Sequence, residues 1–434
     1  MTATIALYSH DSVGLGHARR NRSVAFALAE QLPALTGEPT RGLLIAGDPT
    51  AAQDTLPEGW DWLILPGVQP GPQGYTAQHL GATLAETTRL RGEIVRTALE
   101  TWAPELLIVD RHPYGVTEEL APALASLRRT PCRTVLGLRD VLDAADVVAG
   151  EWARVGGPAR IARDIDQIWV HGDPEVHDLR ESGELPSPLA ERARFTGYLS
   201  LDRPASTTSR DGGTDVFPPY VLTVLGGGSD GADLADRAVR AEVPAGCEHL
   251  LVAGPQMPRD QVARLRRIAA PSARVLHHVP DVPELIAGAE GVLAMAGYNT
   301  SAEIMATTTP ALLVPRNTRR AEQPLRARAL ARVGAVETAD VADLRPEDLA
   351  AWFARARGRT TDRRRIARDG LARVAQLAQD ALAGSHSPVV TVPDGTTPGT
   401  APSPSASGAA PSPLASVGAP SPSTPSREEL SRVL

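Results

Sequence analysis

Ala-Met-Ala-Gly-Tyr-Asn-Thr-Ser-Ala-Glu-Ile-Met, residues 294–305, joins an apolar run to a segment of helical character through a loop that carries Gly297. The run Gly291–Met295 predicts a buried strand, and the residues after Gly297 predict the start of a helix. A helix N-terminus offers free backbone N–H groups and a positive dipole end, which suit a diphosphate. Glu303, a carboxylate one turn into the helix, suits a sugar diol. The stretch therefore predicts a strand–loop–helix unit of an α/β fold that binds a nucleotide sugar.

Glu303 also has a purely structural interpretation, because Thr300 and Glu303 have the spacing of a capping box. In that case the carboxylate closes back on the backbone of Thr300 and only marks a helix start. Glu322 and Gln323 follow the apolar stretch Pro310–Pro315, where they can face a ligand or the solvent. Their occurrence together with two glycine loops elsewhere in the chain favours a ligand-binding role.

The 434-residue chain has the composition of a globular protein, with 42% hydrophobic and 22% charged residues, and is long enough for two or three domains. Its net charge of −7 gives no general attraction to nucleic acid, and we expect no nucleic-acid partner. All 44 basic residues are arginines. The absence of lysine from the sequence excludes mechanisms that need one, such as a pyridoxal Schiff base or a Walker A phosphate loop.

Two cysteines, Cys132 and Cys247, are far apart in the sequence and fit neither a zinc site nor a disulfide framework. The first residues lack the basic leader and apolar core of a signal peptide. No apolar run approaches the ~18 residues that span a bilayer. We therefore expect a cytoplasmic protein that contacts the inner face of a membrane peripherally at most.

Short apolar runs alternate with longer Ala-, Leu- and Arg-rich segments, which predicts βα units on parallel sheets with helices on both faces. The alternation occurs twice and predicts an α/β fold of two doubly wound, Rossmann-like domains with a cleft between them. A stripe of apolar residues within 361–383 predicts a long final helix. The expected order is a first Rossmann-like domain, a linker, a second Rossmann-like domain, a final helix, and a disordered Pro/Ser/Ala tail: residues 1–202, 203–216, 217–358, 359–384 and 385–434. The end of the tail can contact a protein partner or remain solvated.

The first glycine loop, Ser-His-Asp-Ser-Val-Gly-Leu-Gly-His-Ala-Arg-Arg-Asn (residues 9–21), follows the first apolar run. Gly14 and Gly16 allow a sharp turn and the close approach of a ligand. His17 then lies at a helix start on the carboxyl edge of the sheet, where it can act as a base for a hydroxyl nucleophile or simply pack the turn. Asp110, at the end of a later apolar run, is the candidate to orient that base.

Arginines cluster directly after His17. Arg19, Arg20 and Arg22, together with Asn21, can meet an anionic acceptor at this helix start, or they can form a solvated helix face. The sequence therefore offers an acceptor-binding role for this segment without defining the acceptor.

Aspartates follow several predicted strands. Asp110, Asp140 and Asp173 should reach the same cleft edge. Asp164 and Asp166 have the D-x-D spacing of metal-dependent sugar transferases, but they precede a predicted strand and so belong at the opposite edge. We therefore expect no metal ligands and no cofactor, the nucleotide sugar being a co-substrate.

The second glycine loop, Gly226–Ala232, contains a formal G-x-G-x-x-G pattern after the predicted strand Tyr220–Leu225. A dinucleotide site also needs an acidic residue near the end of the next strand, whereas Glu248 stands at the start of that strand. The loop can instead approach a phosphate or a sugar, or serve only as a tight turn.

These motifs, taken in order, resemble those of family 28 glycosyltransferases of the GT-B fold, which include the N-acetylglucosaminyltransferase of the lipid-linked peptidoglycan precursor. The family's G-G-S-x-G-A loop is similar to Gly227–Ala232, and its donor motif G-A-x-T-x-x-E is similar to Gly297–Glu303. A D/E-Q pair before a helix matches Glu322 and Gln323. The opening S-H-D-x-x-G-L-G-H-x-R-R-N resembles most closely a bacterial group of predicted glycosyltransferases, and it departs from the small and proline-containing family continuation after the histidine.

The resemblance implies that residues 1–202 form an acceptor domain, that residues 217–358 form a nucleotide-sugar donor domain, and that the final helix can cross back to the first domain. Glu303 would bind the ribose hydroxyls, the backbone beside Val279 would hold the nucleobase, and Gln323 would meet the donor sugar. The diphosphate would meet Ser229 and the helix start at Asn299 and Thr300. The complete set of implied donor-binding residues is Gly227, Gly228, Ser229, Asp230, Val279, Gly297, Tyr298, Asn299, Thr300, Glu303, Glu322 and Gln323.

We therefore predict an inverting, metal-independent transfer of a sugar, such as N-acetylglucosamine, from a UDP-sugar to a hydroxyl acceptor. The acceptor can be a small molecule, a glycan or a lipid-linked compound, and dTDP is the alternative nucleotide. Two other functions remain open: a UDP-sugar 2-epimerase of the same fold, which needs no acceptor, and a non-catalytic nucleotide-sugar-binding regulator or scaffold. A dinucleotide oxidoreductase is weakened by the missing acid at the strand end.

Overall fold

A computed structural model of the chain describes residues 2–10, 16–71, 74–204, 218–279, 281–316 and 320–385. Three sequence-based predictions lie wholly or largely outside these ranges: the role of Gly14, the linker character of 203–216, and the tail from 385 onward. Among the residues within these ranges, no helix is both long enough and apolar enough to cross a bilayer.

The N-terminal domain is built on a seven-stranded sheet whose neighbouring strands are all parallel. The strands of the domain are β1 (Ala3–Tyr8), β2 (Thr40–Ala46), β3 (Trp60–Ile64), β4 (Val68–Gly71), β5 (Gly74–Ala77), β6 (Leu106–Asp110), β7 (Arg133–Arg139), β8 (Gln167–His171) and β9 (Ala193–Phe195). The sheet order is β3-β2-β1-β6-β7-β8-β9, and β4 and β5 form a separate antiparallel pair.

The helices of this domain cover both faces of its sheet. They are α1 (Gly16–Thr36), α2 (Leu84–Trp102), α3 (Ala121–Leu127), α4 (Ala145–Arg154), α5 (Gly157–Asp164) and α6 (Ser187–Ala190). Every residue of β1 is buried, with Ile5 and Leu7 in one apolar cluster and Ala6 and Tyr8 in another. Side chains of a strand alternate between the faces, so a run that is apolar throughout fits a sheet covered on both sides.

The C-terminal domain repeats this plan with six parallel strands. They are β10 (Tyr220–Val224), β11 (Glu248–Val252), β12 (Ala273–Leu276), β13 (Gly291–Ala294), β14 (Ala311–Leu313) and β15 (Glu337–Thr338), in the order β12-β11-β10-β13-β14-β15. Its helices are α7 (Ala232–Ala238), α8 (Arg259–Ile268), α9 (Val282–Gly288), α10 (Tyr298–Met305), α11 (Glu322–Arg332) and α12 (Pro346–Ala356).

The last helix, α13 (Gly370–Ser385), packs on the N-terminal domain, where Leu371, Val374 and Leu377 join the cluster that contains Ile5 and Leu7. The prediction of a helix over residues 359–384 is wrong at its start, because the helix begins only at Gly370. Residues 361–369 instead make the crossing between the domains, and their polar groups are used there.

Arg363 shows why the crossing segment is not helical. Its buried guanidinium donates hydrogen bonds to the backbone carbonyls of Thr307, Thr309 and Ala335, each at 2.9 Å. Burial, with no carboxylate to offset it, lowers the pKa of Arg363 to about 10. These contacts fix the segment in a non-helical path across the C-terminal domain.

In each sheet the strand order reverses direction between two neighbouring strands. These strands are β1 and β6 in the N-terminal domain and β10 and β13 in the C-terminal domain. Ligands of open α/β sheets bind beyond the carboxyl ends of the strands at this reversal. Asp110 ends β6, the second glycine motif follows β10, and the start of α10 follows β13, so the fold brings these predicted site residues to the carboxyl edges of the two sheets.

Candidate active site

His17 and Asp110 form a hydrogen-bonded pair at the edge of the N-terminal domain. His17 is the second residue of α1, Asp110 is the last residue of β6, and Nδ1 of His17 lies 3.0 Å from Oδ2 of Asp110. The Asp110 side chain is 3% exposed and that of His17 is 21% exposed. An ionised carboxylate can only accept a hydrogen bond, so in the neutral imidazole the hydrogen lies on Nδ1 and Nε2 carries the free lone pair. This is the arrangement of an oriented general base.

Arg20 lies one turn further along α1 and points to the same carboxylate. Its Nη2 donates to Oδ1 of Asp110 at 2.7 Å and to Oδ2 at 2.5 Å, and lies 3.1 Å from Nδ1 of His17. Burial alone would raise the pKa of Asp110, but the charges of Arg20 and His17 lower it well below its usual value. The sequence predicts an acceptor-facing role for Arg20, whereas the structure places its guanidinium in a buried ion pair.

The other predicted acceptor-binding residues are placed differently from one another. Arg19 is exposed and Gly16 is partly exposed, so both can meet a ligand. Asn21 is buried, with its side-chain nitrogen lacking a hydrogen-bond partner among the residues that the structure describes. Asn21 therefore faces the interior of the domain rather than the solvent.

Two further histidines lie behind His17, and the sequence reasoning missed both. The His10 ring is 4.9 Å from the His17 ring and 4.5 Å from the His112 ring, measured between centroids. Burial lowers the pKa of His10 and of His112 well below the usual value, so both rings are neutral at neutral pH. Their positions just after β1 and β6 were the available signal, since those strand ends meet at the site.

The glycine loop after β10 depends on its glycines for its shape. Gly226 and Gly228 have φ angles of 60° and 90°, in the left-handed region that favours glycine. A Cβ atom on Gly228 would clash with the backbone oxygen of Ala253. Gly227 and Ser229 are exposed, so the loop presents backbone and a hydroxyl group at its surface.

Helix α10 begins at Tyr298, with Gly297 as its N-cap and no side-chain cap. The capping box is therefore wrong as an interpretation of Glu303. The amide of Ser301 donates to the carbonyl of Gly297, which starts the helix earlier and places Thr300 inside it. Glu303 is thus released from a capping role.

Glu303 faces the edge where the linker leaves the N-terminal domain. Its side chain is 12% exposed, and its Oε1 lies 3.7 Å from Nη1 of Arg203. Burial raises the pKa of Glu303, and the charges of Arg203 and Arg19 only partly offset the rise. Hydrogen bonds to a carboxylate favour its ionised form, and the hydroxyl groups of a ligand could supply such bonds to Glu303.

The side chains in the first turn of α10 join the two domains. The guanidinium carbons of Arg20 and Arg326 lie 5.4 and 5.8 Å from the centroid of the Tyr298 ring. Asn299 donates from Nδ2 to the backbone oxygen of Gly16 at 3.0 Å, and Thr300 is buried. What the helix start can offer a donor is therefore its backbone, rather than the side chain of Tyr298.

Glu322 and Gln323 begin α11 and belong to an ion-pair chain. Oxygens of Glu322 lie 2.8 Å from Arg139 and 3.1 Å from Arg316, and Arg316 also lies 2.5 Å from Asp230. Burial would raise the pKa of Glu322, but the surrounding arginines, Arg139 first, lower it to about 2. Gln323 accepts a hydrogen bond from the backbone amide of Arg316 at 3.2 Å. Both residues lie at the edge shared with the glycine loop, but the Glu322 carboxylate is already engaged.

A second interdomain ion pair could not be found from the sequence. The fully buried Arg326 of α11 donates to both oxygens of Asp140, at 2.7 to 3.0 Å, across the domain boundary. Tyr198 also donates to Asp140, at 3.1 Å. Asp173 accepts from the amide of Ala367 in the crossing segment at 2.7 Å. Of the three strand-end aspartates, two therefore hold the domains together and Asp110 alone orients the histidine.

Val279 is partly buried against the C-terminal apolar cluster.

Solved structures establish the fold. The chain resembles the crystal structure of the glycosyltransferase of kitacinnamycin, with a TM-score of 0.56 and 15% identity over 88% of this chain and all of that one. It also resembles the UDP-GlcNAc 2-epimerase from Methanocaldococcus jannaschii, with a TM-score of 0.53 and 11% identity over 88% of this chain and 100% of that one. At these identities the likeness establishes the fold, which is the predicted GT-B arrangement of two doubly wound domains.

Sequence relatives define the family. Residues 221–370 match the glycosyltransferase family 28 C-terminal domain. The UDP-N-acetylglucosamine--N-acetylmuramyl-(pentapeptide) pyrophosphoryl-undecaprenol N-acetylglucosamine transferase of Acidothermus cellulolyticus is 30% identical over 309 residues, covering 68% of this chain and 74% of that protein. The chain belongs to the family 28 glycosyltransferases. It is a nucleotide-sugar glycosyltransferase, as the sequence motifs predicted.

Proposed function

We propose that the enzyme transfers N-acetylglucosamine, or a similar sugar, from UDP to a hydroxyl group of a lipid-linked acceptor, with inversion and without a metal ion. One contact carries the proposal: Asn299, in the first turn of α10, donates a hydrogen bond to the carbonyl of Gly16, next to His17. It joins the helix start that suits a diphosphate to the histidine that can take a proton. The name of the Acidothermus relative, with its UDP-N-acetylglucosamine donor and its pyrophosphoryl-undecaprenol acceptor, supports these substrates.

In this proposal the donor lies along the edge of the C-terminal domain. Backbone amides of the glycine loop and of the α10 start, together with the Ser229 hydroxyl, bind the diphosphate. Glu303 accepts hydrogen bonds from the ribose hydroxyls, and the backbone beside Val279 borders the nucleobase. Asp230, Glu322 and Gln323 lie at the sugar end.

The proposed reaction is a single displacement. Nε2 of His17 takes the proton of the acceptor hydroxyl as its oxygen forms a bond to the anomeric carbon of the sugar. The bond from that carbon to the phosphate oxygen breaks, and UDP leaves with the electron pair. Backbone amides and the dipole of α10 stabilise the charge on the leaving phosphate. Attack opposite the leaving group inverts the anomeric configuration, and the ionised Asp110 stabilises the imidazolium that forms.

Metal independence is supported by the positions of Asp164 and Asp166. Asp164 accepts hydrogen bonds from Tyr114 and Arg128, each at 2.9 Å, and Asp166 accepts from the amide of Thr134 at 2.8 Å. These contacts lie at the amino ends of the strands, away from the site. A lipid-linked acceptor also agrees with the expected peripheral contact with the inner face of a membrane.

The test is a UDP-release assay with UDP-GlcNAc and a muramyl peptide carried on a prenyl diphosphate, run with and without excess EDTA. We expect release that depends on the acceptor, continues in EDTA, and gives a β-linked product by NMR. Failure of every UDP- and dTDP-sugar to stabilise the protein or to be consumed would overturn the proposal. A second sugar isomer formed without acceptor would assign a 2-epimerase instead, and activity restored only by added Mg²⁺ or Mn²⁺ would overturn the metal-independent step alone.

A further inference from the structure

Arg20 lies between the proposed base and the donor helix. Its buried guanidinium contacts both carboxylate oxygens of Asp110 and Nδ1 of His17, and it lies over the ring of Tyr298. Arg20, His17 and Asp110 belong to the N-terminal domain. Tyr298, in contrast, is the first residue of α10 in the C-terminal domain. The Arg20 side chain therefore connects the His17–Asp110 pair to the start of α10, the donor helix.

Tyr298 is itself held in place from both domains. Its ring stacks on Tyr198 with centroids 6.4 Å apart and an interplanar angle of 22°. Arg326 lies over the same ring and is fixed by its paired hydrogen bonds to Asp140. A guanidinium over an aromatic face is held more strongly when both groups are removed from water, as they are here. The position of Arg20 is thus set by the contact between the domains.

The charges around His17 make this position matter for proton transfer. Within the ranges that the structure describes, the groups in contact with the His17 ring are Asp110 from β6, Arg20 from α1, and the neutral His10 from the segment after β1, with the neutral His112 behind it. Arg20 balances the charge of Asp110. If Arg20 were lost, the buried carboxylate would be balanced instead by a protonated His17, which cannot accept a proton from the acceptor.

We propose that Arg20 is a positioning residue that keeps His17 in its proton-accepting form, and that Tyr298 holds Arg20 in the place where it does so. The inference rests on the proposed role of His17 as the base. It concerns a residue at which this chain departs from the small and proline-containing continuation of the family motif. In this enzyme the state of the base therefore depends on the contact between α1 and the donor helix.

The test compares pH–rate profiles at saturating UDP-GlcNAc. For Arg20→Met we expect the acid limb to move to higher pH by roughly 1–3 units, so that kcat is low at neutral pH and recovers at alkaline pH while the donor KM is unchanged. Tyr298→Leu should lower kcat at neutral pH by about 5- to 30-fold, the equivalent of a desolvated cation–π contact. Tyr298→Phe keeps the ring over which Arg20 lies and should lose much less of kcat than Tyr298→Leu does. The double variant Arg20→Met/Tyr298→Leu should lose no more than Arg20→Met alone, because Tyr298 acts through Arg20.

Arg160→Met is the matched control, since it removes a guanidinium that lies 4.2 Å from the Tyr114 ring and pairs with Glu118 rather than with Asp110, and it should leave the profile unchanged. Protection by UDP against thermal unfolding shows which variants are folded. An equal loss of kcat at every pH in Arg20→Met, or losses that multiply in the double variant, would overturn the inference.

The same inference can be tested without turnover. Imidazole ¹H–¹⁵N NMR, with the His17 signal assigned from its absence in His17→Ala, should show a more readily protonated His17 ring in Arg20→Met than in the wild type. An unchanged His17 titration overturns the inference about Arg20. A wild type that titrates as expected but releases no UDP overturns the proposed function instead.

Discussion

The two sides of the active site use different parts of the chain. On the N-terminal side, the chemistry lies in the side chains of His17, Asp110 and Arg20, where His17 and Arg20 donate hydrogen bonds of 2.5 to 3.0 Å to the Asp110 carboxylate. On the C-terminal side, the glycine loop and the start of α10 present mainly backbone. Proton transfer needs a titratable group whose charge is fixed by neighbours, whereas a diphosphate can be bound by main-chain amides placed by glycine. The difference predicts that substitutions on the two sides fail in different ways.

The largest effect should come from removing the base. His17→Ala should lower kcat by about 10²- to 10⁴-fold, the usual contribution of a general base. Because the donor is bound by the other domain, UDP binding measured by calorimetry should stay at the wild-type value. A parallel loss of UDP binding would contradict the division between the two sides.

The interface that joins the two sides should be the next most sensitive feature. Arg326→Met leaves Asp140 buried without its cation and should lower the free energy of unfolding by about 3–5 kcal/mol. Urea unfolding measures the change. Adding Asp140→Asn removes the unpaired charge and should recover much of the lost stability. A double variant as unstable as Arg326→Met would show that the loss comes from packing rather than from the unpaired charge.

On the donor side, the backbone should be more sensitive than the side chains. Gly228→Ala forces a left-handed φ on a residue with a Cβ atom and should lower the free energy of unfolding by about 1–3 kcal/mol. Because the strain distorts the loop, UDP binding should weaken, with little change in the rate of the transfer step. Gly227→Ala is the matched control, because its φ is not left-handed and its Cβ would meet only the mobile end of Gln256. Calorimetry and thermal unfolding of the two variants should separate them clearly, and equal behaviour would contradict the role assigned to the loop.

The smallest effect should come from Glu303→Gln, with about tenfold weaker UDP binding from the loss of a charged acceptor of hydrogen bonds. Burial raises the pKa of Glu303, so the carboxyl takes up its proton at a higher pH than an exposed glutamate does. Wild-type UDP affinity should therefore fall as the pH drops through that raised value, whereas the affinity of Glu303→Gln should not follow this change. UDP titrations over a pH series test this, and a flat wild-type response would remove Glu303 from the ribose site.

The same contrast explains what the sequence could predict. Glycine loops and strand ends are local patterns, so the donor edge and the meeting of His17 with Asp110 could be inferred from order along the chain. The pairing of Arg326 with Asp140 joins positions 186 residues apart and follows no period. The inward turn of Arg20 also depends on Tyr298, which lies in the other domain.

The capping box at Thr300 shows a different kind of error. Its Thr-x-x-Glu spacing is correct, but Gly297 starts the helix earlier, and a local pattern cannot decide between two neighbouring starts. The length of α13 was overpredicted for a related reason. The arginine-rich segment before it has helical composition, but Arg363 uses its donors on carbonyls of the C-terminal domain. The binding and catalytic roles of the site residues remain predictions.

The return of α13 to the first domain has a consequence for biosynthesis. Leu371, Val374 and Leu377 complete the apolar face formed by β1 and α1, yet they are translated after both sheets. Domains that complete their own cores can fold as they emerge from the ribosome, N-terminal first. Here the N-terminal domain cannot complete its core, and that face stays uncovered, until residues 370–385 have been translated. A chain that ends before α13 would keep an exposed apolar surface of the kind that chaperones and proteases recognise. Folding of the N-terminal domain is therefore coupled to translation of residues 370–385.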